Sequence, residues 1–165
     1  MNNNKLLIIN GPGLSDLSNF NDYGYEHLTL EKLQNKCLET CKSLGMELDF
    51  FQTDDQASLT KKIVEGITEC DALIINPVGY SHESTFDLDA YASNIKSDTL
   101  KNKPVIEVHI TNIFHDNEGI SEPVIVSKSG VGFICGLGVH SYELAIRSIH
   151  EKLNQLDEYL RNQWT

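Results

Sequence analysis

KLLIIN, residues 5–10, followed by Gly11-Pro12-Gly13, decides the fold. Leu6, Leu7, Ile8 and Ile9 leave the run no polar side, so a strand built from it must be covered on both faces. Gly-Pro-Gly then stops and turns the chain. ALIIN at 72–76, halted by Pro77, repeats the pattern. Pro104–Ile110 and Val131–Leu137 repeat it again, and Met46–Gln52 reads as a further strand. Helical periodicity fills the intervals. Thr29 can cap a helix running to about Ser43, with Gly45 as its stop and Leu30, Leu33, Cys37, Leu38, Cys41 and Leu44 as its apolar stripe. Ser58–Cys70 is expected to turn Leu59, Ile63, Val64 and Ile67 inward. Further helices are expected from Ser84 to about Ile95 and from Ser141 to about Arg161. Strands alternating with helices predict an α/β protein with a five-stranded parallel sheet, organised as one domain over residues 1–165.

Composition narrows the function classes. The formal net charge is -11, with 13 lysines and arginines in total, and Arg147 and Arg161 are the only arginines. No basic cluster exists to neutralise phosphates, which argues against nucleic acid and against an anionic membrane surface as partners. No apolar stretch approaches the roughly 20 residues that span a bilayer. Met-Asn-Asn-Asn-Lys runs straight into the first strand without the features of a secretory signal, which predicts a cytoplasmic protein. Cys37, Cys41, Cys70 and Cys135 form no C-x-x-C pair and read as small buried hydrophobes in a reducing compartment.

In a parallel sheet, ligands bind beyond the carboxyl ends of the strands. There the first strand delivers Asn10, Gly11 and Gly13, and the third delivers Asn76, then Tyr80 and His82. The fourth delivers Glu107, His109, Thr111 and Asn112. Glu107 and His109 alternate with Val108, so their side chains share one face. A carboxylate beside an imidazole favours the protonated ring, which suits His109 to general acid work. Taken alone, an E-x-H pair is more often a surface pair on an edge strand, but the apolar setting VIEVHI argues for the interior. Asn76 can donate to a carboxylate or simply form a turn before Pro77. Tyr23 and Tyr25 lie in a polar loop and could pack a lid or act as a base. Gly11-Pro12-Gly13 and Gly136-Leu137-Gly138 both fall short of a dinucleotide fingerprint. His82, His109 and His115 lack a helical H-x-x-x-H pair, so no metal is expected.

Four blocks resemble the type II dehydroquinases. Asn10-Gly11-Pro12 resembles their N-G-P-N opening, and Tyr25 followed by Thr29-Leu30 resembles Y-G-x-x-T-L. Asn76-Pro77-x-x-Tyr80-Ser81-His82 resembles N-P-x-x-Y-T-H, with Asp89-Ala90 at the later D-A. Glu107-Val108-His109-Ile110-Thr111-Asn112 resembles E-V-H-(L/I)-S-N. The resemblance implies a flavodoxin-like three-layer sandwich and a homo-oligomer, a trimer or a dodecamer. It implies trans-dehydration of a small-molecule substrate, 3-dehydroquinate, through an enolate and without a cofactor. Tyr25, which keeps the family distance from Asn10, would be the base. His109, oriented by Glu107, would be the acid. Asn76 and the backbone of Ile110 and Thr111 would hold the substrate carboxylate, His82 a ring hydroxyl, and Asp89 would reach a neighbouring subunit.

The departures cluster on the lid side. Phe20, Asp116 and Ile120 stand where the family has arginines, Gly13 where it has an asparagine that holds water, and Glu26 where it has a glycine. Loss of the arginine at Phe20 removes a cation that would stabilise a tyrosinate. Phe20 and Ile120 would instead line a more apolar pocket. The leading expectation is therefore a divergent lyase acting on another hydroxylated carbonyl compound. A catalytically inactive binding or assembly homologue, and a slow authentic 3-dehydroquinate dehydratase, are the alternatives.

Overall fold

The computed structural model describes residues 3–14, 17, 28–77, 93, 103–112 and 132–163. The apolar runs form five strands: β1 (Lys5–Asn10), β2 (Glu47–Gln52), β3 (Ala72–Asn76), β4 (Val105–His109) and β5 (Gly132–Cys135). All pairings are parallel, and the order is β2-β1-β3-β4-β5, the flavodoxin-like winding. Three helices are described: α1 (Leu30–Ser43), α2 (Gln56–Glu69) and α3 (Val139–Gln163). The helix expected from Ser84 lies outside the described residues apart from Ser93, which is helical.

Side-chain alternation divides the core into two layers. Leu6, Ile8, Ala72, Ile74 and Val108 pack with Leu33, Cys37 and Cys41 of α1 and with Tyr142, Ala145, Ile146 and Ile149 of α3. Leu7, Ile9, Leu73, Ile75 and Val105 pack on the other face with Leu59, Ile63 and Ile67 of α2. Each fully buried Leu or Ile contributes about 1.5–3 kcal/mol relative to exposure. β1 and β3 carry these residues on both faces, which is why their sequences lack alternation.

Helix ends follow local chemistry. Thr29 Oγ1 accepts from the Lys32 N–H at 3.2 Å and caps α1. Two residues expected inside lie outside: Leu38 is 36% exposed and Val64 47% exposed. Each sits about 100° around its helix from a stronger anchor, Cys37 or Ile63, and the anchors set the inward direction. The inner face of α2 is completed by Gly66, where the helix lies close against Leu7.

Cys37, Cys41 and Cys70 are buried as expected, whereas Cys135, expected in the core, is half-buried because it ends the edge strand β5. Burial pushes the Cys41 thiol up to about 11, and burial followed by the neighbouring Cys41 drives Cys37 higher still. At pH 8 both stay protonated and inaccessible, whereas Cys135 is only half-buried. A disulfide reagent at pH 8 should label Cys135 rapidly and reach Cys37 and Cys41 only after denaturant is added. Immediate labelling of all the thiols would contradict this packing.

Candidate active site

The carboxyl ends of β1, β3 and β4 meet around two groups of polar side chains. On β4, Glu107 and His109 point to the α2 face, as Val105 does. Their side chains are joined by a hydrogen bond of 2.7 Å between His109 Nε2 and Glu107 Oε1. Both are buried, with Glu107 1% and His109 3% exposed. A carboxylate this deep is costly unless paired, and the imidazole is its partner. Its other oxygen, Oε2, is buried with no hydrogen-bond partner among the described residues. The ring of Phe133, Glu107's register partner on β5, lies 5.5 Å from the imidazole centroid and tilted by 45°. It walls the imidazole on the β5 side.

On the opposite face, Asn10 and Asn76 are register partners at the ends of β1 and β3. Both are buried, and between them lies Tyr142 of α3, 0% exposed. Asn76 Nδ2 donates to Tyr142 Oη at 2.6 Å, and Tyr142 Oη donates to Asn10 Oδ1 at 2.7 Å. Burial holds the Tyr142 phenol far above its usual range, so it acts as a neutral hydroxyl.

Glycine sets the spacing beneath these groups. The Gly11 N–H donates to Asn76 O at 2.7 Å, and a Cβ at Gly11 would meet Pro77 O at 2.8 Å. Gly13 adopts φ 87 and donates its N–H to Asp54 Oδ1 at 3.1 Å, tying the turn after β1 to the end of β2. The carbonyls of His109 and Ile110 accept from Gly136 and Gly138 at 3.3 and 2.9 Å. These bonds bring the N-terminus of α3 against the Ile110–Thr111 backbone.

Of the residues singled out in the sequence, Glu107 and His109 are brought together, and Asn76, Ile110, Thr111 and Gly13 surround the same end of the sheet. Ile110 is buried, Thr111 half-buried and Gly13 exposed. Tyr25, Phe20, His82, Asp89, Asp116 and Ile120 lie outside the described residues. Tyr142 was not anticipated. Its signal was present: it leads the stripe Tyr142, Ala145, Ile146, Ile149, Leu153, and a phenol on a buried helical stripe needs a polar partner.

Residues 4–150 match the family model described as Dehydroquinase class II. A 3-dehydroquinate dehydratase of Clostridium botulinum is 34% identical over 150 residues, covering 91% of this chain and 97% of its own. A 3-dehydroquinate dehydratase 2 of Pseudomonas putida is also 34% identical, covering 91% and 95%. The crystal structure of a type II dehydroquinase from Propionibacterium acnes superposes with a TM-score of 0.73 at 28% identity, covering 89% of this chain and 98% of that one.

Proposed function

The chain belongs to the class II dehydroquinase family and is a dehydroquinase-like dehydratase, a carbon–oxygen lyase; from this premise we propose how its residues share the work and what they act on. His109 is the acid. Its Nε2 is committed to Glu107, so the proton for the leaving hydroxyl is carried by Nδ1. Tyr25 is the base that takes the proton beside the ketone. The electrons pass through an enolate, the C–O bond breaks, His109 supplies its proton, and water and a conjugated enone leave. Asn76 and the backbone of Ile110 and Thr111 receive the substrate carboxylate. His82 contacts a ring hydroxyl, and Asp89 and assembly into a trimer or dodecamer belong to the same reading. The observation that carries it is the buried Glu107–His109 pair, whose desolvation cost an abandoned site has no reason to retain.

The substrate is a hydroxylated carbonyl acid more apolar than 3-dehydroquinate. Only Arg147 and Arg161 are available as guanidinium groups, both fall within α3, and Arg147 is engaged by Glu143 at 3.0 Å. The names of the relatives support a second reading, authentic turnover of 3-dehydroquinate. Following the enone by ultraviolet absorbance separates them. We expect product from 3-dehydroquinate with kcat/KM below about 10⁴ M⁻¹s⁻¹, the low end for enzymes. A larger value would replace the divergent-substrate reading with the authentic one. No enone from 3-dehydroquinate or any related hydroxyketo acid would overturn the assigned catalytic roles.

A further inference from the structure

Helix α3 outruns the sheet it covers. At 1.5 Å per residue its 25 residues extend about 37 Å, whereas the 6 residues of β1 extend about 20 Å and the 14 of α1 about 21 Å. α3 starts at the carboxyl ends of the strands, where Tyr142 meets Asn10 and Asn76, and runs back along the sheet toward their amino ends. Leu153, 8% exposed, is the last of its residues that the core covers. Every side chain from Asn154 to Leu160 is exposed, and so is that of Asn162. About 15 Å of helix, residues 154–163, thus overhangs the body. The match to the family model stops short of it, at residue 150.

The overhang carries an apolar stripe of a particular period. Tyr142, Ile146, Ile149, Leu153, Leu156, Leu160 and Gln163 follow one another at alternating steps of four and three, the heptad spacing of a helix seam. The first four pack into the chain's own core. The stripe then leaves the body at Leu156, 38% exposed, and Leu160, 53% exposed, with Tyr159 at 61% on its flank. So short a length of helix is marginal in water without packing. A seam of period 3.5 fits a second helix of the same period. The chain's own body fixes the direction of that helix. A parallel copy would drive its residues 139–153 into the space the first body fills, because the buried half of the stripe faces that body. An antiparallel copy brings its overhang beneath the first sheet and leaves its own body beyond the tip.

We propose that the overhang of α3 is a self-association surface, through which two copies pair tip to tip and antiparallel about a two-fold axis at the level of residue 158. Leu156 of each copy lies against the partner's Leu160, so the contact is isologous and closed. It is also short. The overlap buries roughly a few hundred Å² per copy, against about 800 Å² per partner in a standard interface, so the dimer dissociates on dilution. Each copy has a formal net charge of -11, and salt that screens this repulsion tightens the pairing. The carboxyl ends of the strands, at the far end of each body, stay clear of the contact.

Sedimentation of the full chain at rising concentration, beside the double variant Leu156→Lys/Leu160→Lys, tests the pairing. The variant keeps whatever mass other faces of the molecule set. Wild type should become twofold heavier or more at high concentration, and more readily as salt is raised. Equal masses would overturn the proposal, and so would an association that salt dissolves. Both leucines are exposed, so the variant should keep the wild-type Tm within about 2 °C. A larger fall with equal masses would mean that another segment of the same chain covers the stripe, which also overturns it. Orientation is read with a short thiol cross-linker in a Cys135→Ser background. Antiparallel pairing sets residue 159 about 3 Å from its own copy along the axis and residue 162 about 12 Å from its copy. Tyr159→Cys should therefore cross-link to itself and Asn162→Cys should not. The reverse pattern would make the helices parallel and overturn the arrangement proposed.

Discussion

Replacing His109 by glutamine is expected to lower kcat for enone formation by about 10²–10⁴-fold, the range for losing a positioned general acid. Glutamine can still offer an N–H to Glu107 Oε1, which His109 Nε2 meets at 2.7 Å in the native chain. The buried carboxylate thus keeps a donor while the transferable proton is gone. His109→Ala is a poorer test, because it strands a carboxylate that is 1% exposed. Removing one partner of a buried pair costs about 3–5 kcal/mol, so that variant confounds stability with chemistry. The expected pattern is a near-native thermal midpoint with lost kcat for the glutamine variant, and a large fall in midpoint for the alanine variant. A glutamine variant retaining more than about a tenth of native kcat would place the acid elsewhere.

The second large effect is expected at Gly11. An added Cβ would lie 2.8 Å from Pro77 O and 3.3 Å from Asn76 O, both backbone atoms that cannot rotate away. Gly11→Ala must therefore spread the ends of β1 and β3 and stretch the 2.7 Å bond from the Gly11 N–H to Asn76 O. Overpacking of this kind costs about 1–3 kcal/mol, or a few degrees of Tm for each kcal/mol in a chain of this size. Because Asn76 moves with the spreading backbone, KM should rise as well. Gly66→Ala is the control. There the nearest atom is Leu7 Cδ2, the end of a side chain, and the position packs into the α2 layer away from the strand ends. It should lower Tm without moving KM. Equal KM effects from the two variants would remove Gly11 from the architecture of the site.

The fold was legible because two runs admit few interpretations. KLLIIN and ALIIN each lack a polar face, and both became strands with the expected bounds, Lys5–Asn10 and Ala72–Asn76. Boundaries blurred where capping competes with periodicity. α2 begins at Gln56 rather than Ser58 because Asp55 Oδ2 accepts from the Ser58 N–H at 2.8 Å, so the hydroxyl-bearing residue lies inside the first turn instead of capping it. α3 begins at Val139, ahead of Ser141, whose Oγ reaches back to the Leu137 N–H at 3.2 Å. At the site, Glu107 and His109 were legible from alternation, since both fall on one face of a single strand. Tyr142 was not, because its polar partners come from β1 and β3. No local pattern reports a contact whose partners are set only by the winding of the sheet.

The bond from Tyr142 to Asn10 joins residues 132 apart in the chain. Loop closure across such a distance is slow and comes late in folding. During synthesis, the opening strands can emerge from the ribosome long before the segment that holds their ends exists. Until residues 139–163 have been translated and docked, the half-made sheet lacks the phenol that bonds both asparagines at its edge.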